Sequence, residues 1–100
     1  MIKHLVMFKL LDIAEGSTKA ENAVQIKNLL DGLPAKIPVI REYEVGINII
    51  ESDRAYDISL ISAFDNKEDL REYIEHPEHK KAVDFILKRR QTSVSVDYKI

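Results

Sequence analysis

The chain has 100 residues, 45% of them hydrophobic and 32% charged, with fifteen basic and seventeen acidic side chains and no cysteine. Its length leaves room for one core, so residues 1–100 are expected to form a single domain. The net charge of −2 gives no electrostatic reason to expect a nucleic-acid or anionic-membrane partner. The missing cysteine excludes disulfides, thiolate nucleophiles, iron–sulfur clusters and Cys-type zinc sites.

Ile, Leu, Val and Phe together number 32, enough to argue against disorder. No apolar run approaches the roughly 20 residues that span a bilayer. Lys9 interrupts the only N-terminal run that could resemble a signal peptide. A cytoplasmic protein without a membrane partner is expected.

Residues 2–11 alternate, with Ile2, His4, Val6, Phe8 and Leu10 on one face, which predicts a strand. Residues 18–31 read as a helix. Thr18 and Glu21 have the spacing of a capping box, and Ala23, Ile26 and Leu30 recur at helical intervals. Gly32 is the expected stop through its left-handed freedom, and Pro34 and Pro38 forbid continuation. Strands are expected at 39–50 and 56–64. Gly46, inside the first of these, implies a bulge or a close backbone approach.

Asp65, with Glu68 three residues on, is the expected cap of a helix running to about Glu75. His76-Pro77 breaks that helix and starts another at 77–90, whose basic end Lys88-Arg89-Arg90 would suit the negative pole of the helix dipole. A last strand is expected at 92–100.

The order βαββαβ predicts an α+β, ferredoxin-like domain: a four-stranded antiparallel sheet with helices on one face. Val6, Phe8, Leu30, Ile47, Leu60, Phe64, Ile86 and Val94 are its expected core. The helix-covered sheet face is assigned Val6, Phe8, Val45, Ile47, Ile58, Leu60, Val94 and Val96. The opposite face would hold Leu5, Met7, Ile61 and Ala63 among polar groups that include Asp57, Ser95 and Asp97. Those apolar residues are too many for a bare surface. A second copy covering them would close an eight-stranded barrel, so a two-fold homodimer through the open face is expected.

Three segments carry a family resemblance: Ile2-Lys-His-Leu-Val-Met-Phe-Lys9, Asp57-Ile-Ser-Leu-Ile-Ser-Ala-Phe64 and Tyr73-Ile-Glu-His-Pro-Glu-His79. With the closing Val96-Asp-Tyr98, they resemble the stress-responsive α/β-barrel (Dabb) family. The resemblance runs the whole length, and the His-Pro-x-His element is its most specific part. It implies a dimeric α/β barrel. In a cyclase member of the family, which closes a linear polyketide by aldol condensation, the working Tyr and His fall on Tyr73 and His79. A further His falls on His4. The chain departs from that member at Ile58, where the cyclase has another His.

The residues themselves point to the same three groups. His79, near the start of the last helix and on its apolar face, could titrate near neutrality and move a proton. Tyr73 is on the inward side of its helix. His4 is the one polar group on the even face of the first strand, placed to orient His79 or a ligand. His76 reads as a helix cap. His4, His76 and His79 lack a metal-binding spacing, and no cofactor motif is present, so no metal or cofactor is expected. Asp57 reads as structural. Three readings stand: a protein binding a small carbonyl or polyketide-like ligand in a helix–sheet cavity, a cofactor-independent cyclase or lyase using His–Tyr acid–base chemistry, and a non-enzymatic stress-related assembly protein.

Overall fold

The computed structural model describes all residues, Met1–Ile100. In chain order the elements are β1 (Ile2–Leu10), β2 (Ile13–Ala14), β3 (Ser17–Thr18), α1 (Lys19–Asp31), β4 (Glu42–Ile47), β5 (Ile58–Phe64), α2 (Lys67–Glu75), α3 (Pro77–Leu87) and β6 (Arg90–Lys99). Four strands pair antiparallel in the order β4-β5-β1-β6. This is the ferredoxin-like α+β arrangement expected from the sequence.

The caps set the helix ends. Thr18 and Glu21 form the reciprocal capping box at α1. Gly32 sits at φ −80, in the right-handed region, so its left-handed freedom is not used. The turn persists through Leu33 N–H to the Leu30 carbonyl before Pro34 ends it. At α2 the cap is Asn66, whose Oδ1 accepts from Asp69 N–H at 2.8 Å. Asp65, the expected cap, instead pairs with Arg41 at 3.0 Å. His76 caps α3, its Nδ1 accepting from Glu78 N–H at 3.1 Å. That helix stops at Leu87, so Lys88-Arg89-Arg90 lies past its last turn and Arg90 opens β6.

Two features lie outside the sequence expectations. A small hairpin, β2–β3, turns through Glu15 at φ 52 and Gly16 at φ 74, the successive positive values of a tight two-residue turn. Asn22, buried in α1, holds it by donating Nδ2–H to the Ala14 carbonyl at 3.0 Å. The second is a register shift between β1 and β6 at Lys9/Leu10. Gly46, by contrast, sits in regular pairing opposite Ser59, whose Oγ would stand 3.3 Å from an added Cβ. Close approach, not a bulge, is what that position requires.

The core lies between the sheet and the helices and contains Ile26, Leu30, Ile58, Leu60, Phe64, Tyr73 and Ile86. Val6 and Phe8 pack against it, partly buried. The face assignment of β6 needs correction. Val94 pairs with Met7 and Val96 with Leu5, so both lie on the face away from the helices, 41% and 51% exposed within one chain. Ser95 pairs with Val6 and Asp97 with His4, so these polar residues lie on the helix side. Alternation shows which residues share a face but not which face is which, and apolarity points the wrong way here. Ile47, on the edge strand β4, is also exposed rather than in the core. Asp57 is structural: its Oδ2 accepts from Leu10 N–H at 2.7 Å, within the chain rather than across an interface.

Candidate functional site

The three singled-out residues converge. His4 arrives from β1, Tyr73 from the last turns of α2, and His79 from the first turn of α3. All three line a cavity of about 280 Å³ between helices and sheet. The Tyr73 and His79 rings are 4.4 Å apart between centroids, and His4 meets the edge of Tyr73 at 6.3 Å. The rest of the lining is mostly apolar, with Phe8, Leu60 and Ile86 among it. A wider depression of about 390 Å³ beside α2 and the end of β6 holds Lys67, Arg71 and Lys99 but none of the three. The smaller cavity is the candidate site because the chemistry-bearing groups meet there.

His79 Nδ1 lies 3.0 Å from the Ile74 carbonyl. A carbonyl only accepts, so Nδ1 carries the proton and the neutral ring keeps Nε2 as an acceptor. The α2–α3 break explains the contact. Ile74 is in the last turn of α2, where helix carbonyls lack intrahelical partners, and Pro77 turns the chain so that His79 reaches back to one. Burial holds the His79 pKa below its ordinary value, opposed by the Ile74 hydrogen bond, while His4 and His76 lower it further. The neutral, proton-accepting form is therefore favoured at pH 7. Of the two roles expected of His4, orienting His79 or a ligand, the first falls to Ile74, whose carbonyl sets the His79 tautomer.

His4 has a different partner. Its Nδ1 bonds the Asp97 carboxylate, which accepts and so fixes the other ring nitrogen as unprotonated in the neutral form. Only 12% of the His4 side chain is exposed, against 47% for Asp97. Sequence alternation assigns Asp97 to the opposite face. The signal that finds it is the β1–β6 register, which puts it directly across from His4.

Tyr73 is fully buried, and its hydroxyl lies 2.8 Å from that of Tyr43 on β4. Burial pushes Tyr73 up to about 12, partly offset by the hydrogen bond from Tyr43, and pushes Tyr43 higher still. Either hydroxyl can be the donor of this bond, and with Tyr43 donating, the Tyr73 proton is free for another acceptor. His76 is not among the cavity-lining residues, and the three histidines form no group able to hold a metal ion.

The sheet and helices define a ferredoxin-like domain, and comparison with known proteins places that fold in a family. The chain belongs to the stress-responsive A/B barrel domain (Dabb) family, whose model matches residues 2–100. An uncharacterized protein of Streptomyces coelicolor, SCO4036, is 36% identical over 84 residues, covering 83% of this chain and 84% of that one. A dimeric, ferredoxin-like protein of unknown function from Bacteroides fragilis superposes with a TM-score of 0.80 at 36% identity, over 99% of this chain and 95% of that one. A second such dimeric protein, from Thermobifida fusca, gives 0.85 at 25% identity, over 99% and 90%. No helix of the chain is long and apolar enough to cross a membrane.

Proposed function

We propose that this Dabb domain works as a homodimer. Each cavity binds a small carbonyl compound and moves a proton on it by acid–base chemistry, with no cofactor taking part. The observation that carries the reading is the cavity itself: about 280 Å³, mostly apolar, with His4, Tyr73 and His79 on its wall. A protein serving only as an assembly unit has no need of an unfilled, functionalised space. His79 Nε2 takes the proton from a carbon next to the carbonyl. Tyr73, receiving a hydrogen bond from Tyr43, donates its own to the oxygen that becomes an enolate. The N-terminal end of α3 adds its positive pole nearby. His4, held by Asp97, positions the ligand from the sheet side.

Dimerisation is supported by the apolar outward face of β1, β5 and β6, and by the dimeric state of the Bacteroides and Thermobifida relatives. The cavity and the interface occupy opposite faces of the sheet, so the two properties can be separated by mutation.

The test is proton exchange at carbon. Incubated in heavy water with 4-phenyl-2-butanone as a probe, wild-type protein should accelerate deuterium uptake beside the carbonyl, read by NMR. His79→Ala and Tyr73→Phe should each lower the enzymatic rate by roughly 10²–10⁴-fold, the scale of a positioned acid–base group. Binding without acceleration, equal in wild type and His79→Ala, would reduce the chain to a ligand-binding protein.

A further inference from the structure

Two adjacent arginines follow the end of α3, the second of them opening β6, and they are treated very differently. Arg89 is fully engaged: Nε donates to Asn22 Oδ1 at 3.2 Å, Nη1 donates to the Phe85 carbonyl at 2.9 Å, and the guanidinium lies 3.5 Å from the centre of the Phe85 ring. Arg90 is half-buried and lines the cavity, yet its side chain has no hydrogen-bond or ion-pair partner in the chain. A guanidinium stays charged at any physiological pH and presents a fork of five donors. Arg90 is the only permanently charged residue on the cavity wall.

The backbone spends an irregularity to put it there. Ser93 pairs with Phe8 and Thr92 with Lys9, but the next pair is Arg90 with Leu10. Gln91 is the extra residue. Without the shift, plain alternation would place Gln91 on the face of Ser93 and Ser95 and turn Arg90 away. Bulges of this kind re-aim a side chain and are common beside functional sites. The result is a polar stripe on β6 (Arg90, Ser93, Ser95) facing an apolar wall of Phe8, Leu60 and Ile86. Leu10, opposite Arg90, is six positions along β1 from His4, or about 20 Å of strand.

We infer that Arg90 is the anion-recognising residue of the cavity, and that its ligand is an amphiphilic acid. A carboxylate is held by the Arg90 fork, an apolar body lies over Phe8, Leu60 and Ile86, and the reacting carbonyl sits at the His79 end. This rests on the proposed cavity function and adds the preferred class of substrate: carbonyl acids, bound more tightly than neutral carbonyl compounds.

The experiment uses octanoate and its neutral isostere octanamide, titrated into the dimer at pH 8 and followed by NMR and calorimetry. Wild type should bind octanoate at least about tenfold more tightly than octanamide, the scale of one charge-assisted pair. Arg90→Gln should erase that preference by weakening octanoate alone, leaving octanamide binding unchanged. Arg90→Lys, which keeps the charge without the fork and so retains the folded environment, should keep part of it. Arg71→Gln, on the neighbouring cationic depression, should leave it intact. Equal binding of the two probes by wild type, or a preference that survives in Arg90→Gln, overturns the assignment while the cavity reading stands. If neither probe perturbs cavity residues in wild type, the cavity reading fails and the assignment falls with it.

Discussion

The sheet divides into two halves that are built in opposite senses. In β5, the residues facing the helices are Ile58, Leu60 and Phe64, all buried, with only Ser62 polar. In β6, the residues facing the helices are Ser93, Ser95 and Asp97, and the apolar Val94, Val96 and Tyr98 face away. The β4–β5 half is an ordinary core wall. β6 gives up core packing to build a polar cavity wall and places its hydrophobic residues where one chain leaves them exposed, while β1 beside it keeps Ile2 and Leu10 buried. A lone sheet with one wet face would show the reverse pattern, apolar in and polar out. The inversion ties the two proposals together: with a second copy covering its apolar side, as proposed, β6 is free to turn polar groups toward a ligand.

Breaking the outward side of β6 should have the largest effect. Val96→Glu places a charge amid Leu5 and Val94 and should convert the dimer to monomer or unfolded chain, as seen by light scattering. Its sequence neighbour gives the contrast: Ser95→Val, on the helix side, should keep the dimer mass and reduce ligand binding. If Ser95→Val dissociates the dimer and Val96→Glu does not, the two faces have the opposite roles.

The next contrast sets core against cavity. Phe64→Ala, in the fully buried half, should cost about 3–5 kcal/mol in urea unfolding. Phe8→Ala should cost clearly less, because Phe8 is only partly buried and already borders empty space. Equal losses would mean that the cavity collapses in solution. Asp97→Asn is a smaller perturbation. It removes the carboxylate that holds His4 but leaves the sheet ladder intact, so the melting temperature should barely move while the His4 ring signals broaden or shift in NMR spectra.

The smallest expected effect is electrostatic. The His79 pKa is lowered on folding, so the unfolded chain takes up this proton first as pH falls. The contribution of His79 is therefore complete above its unfolded value near 6.5 and is lost as pH falls below it toward the folded value. Unfolding free energy measured at pH 7.5 and 5.5 should drop less in His79→Gln than in wild type. The rate of proton abstraction should likewise rise with pH through a midpoint below 6.5 and level off above it.

Much of the architecture is legible in the amino-acid sequence. The βαββαβ order follows from period-2 and helical spacings. The α1 capping box and the His76-Pro77 break follow from local chemistry, which tertiary packing does not override. His4, Tyr73 and His79 stand out as polar groups on apolar faces. Registers and bulges are not legible, because nothing local encodes them. The pairing of Asp97 with His4 depends on β1 and β6, which lie at opposite ends of the chain. The aim of Arg90 depends on a single extra residue. The β2–β3 hairpin is two residues a side, too short for any period to register. Alternation places Tyr43 on the inward face of its strand, but its partner Tyr73 is thirty positions away, and no spacing rule connects them.

The claim that joins these observations is that the apolar side of β6 is covered by a second copy of the chain. Sedimentation equilibrium of the wild-type protein at micromolar concentration tests it most directly. The account predicts a single species of twice the 11.5 kDa chain mass. A well-folded monomer at that concentration would leave Val94, Val96 and Tyr98 in water and contradict it.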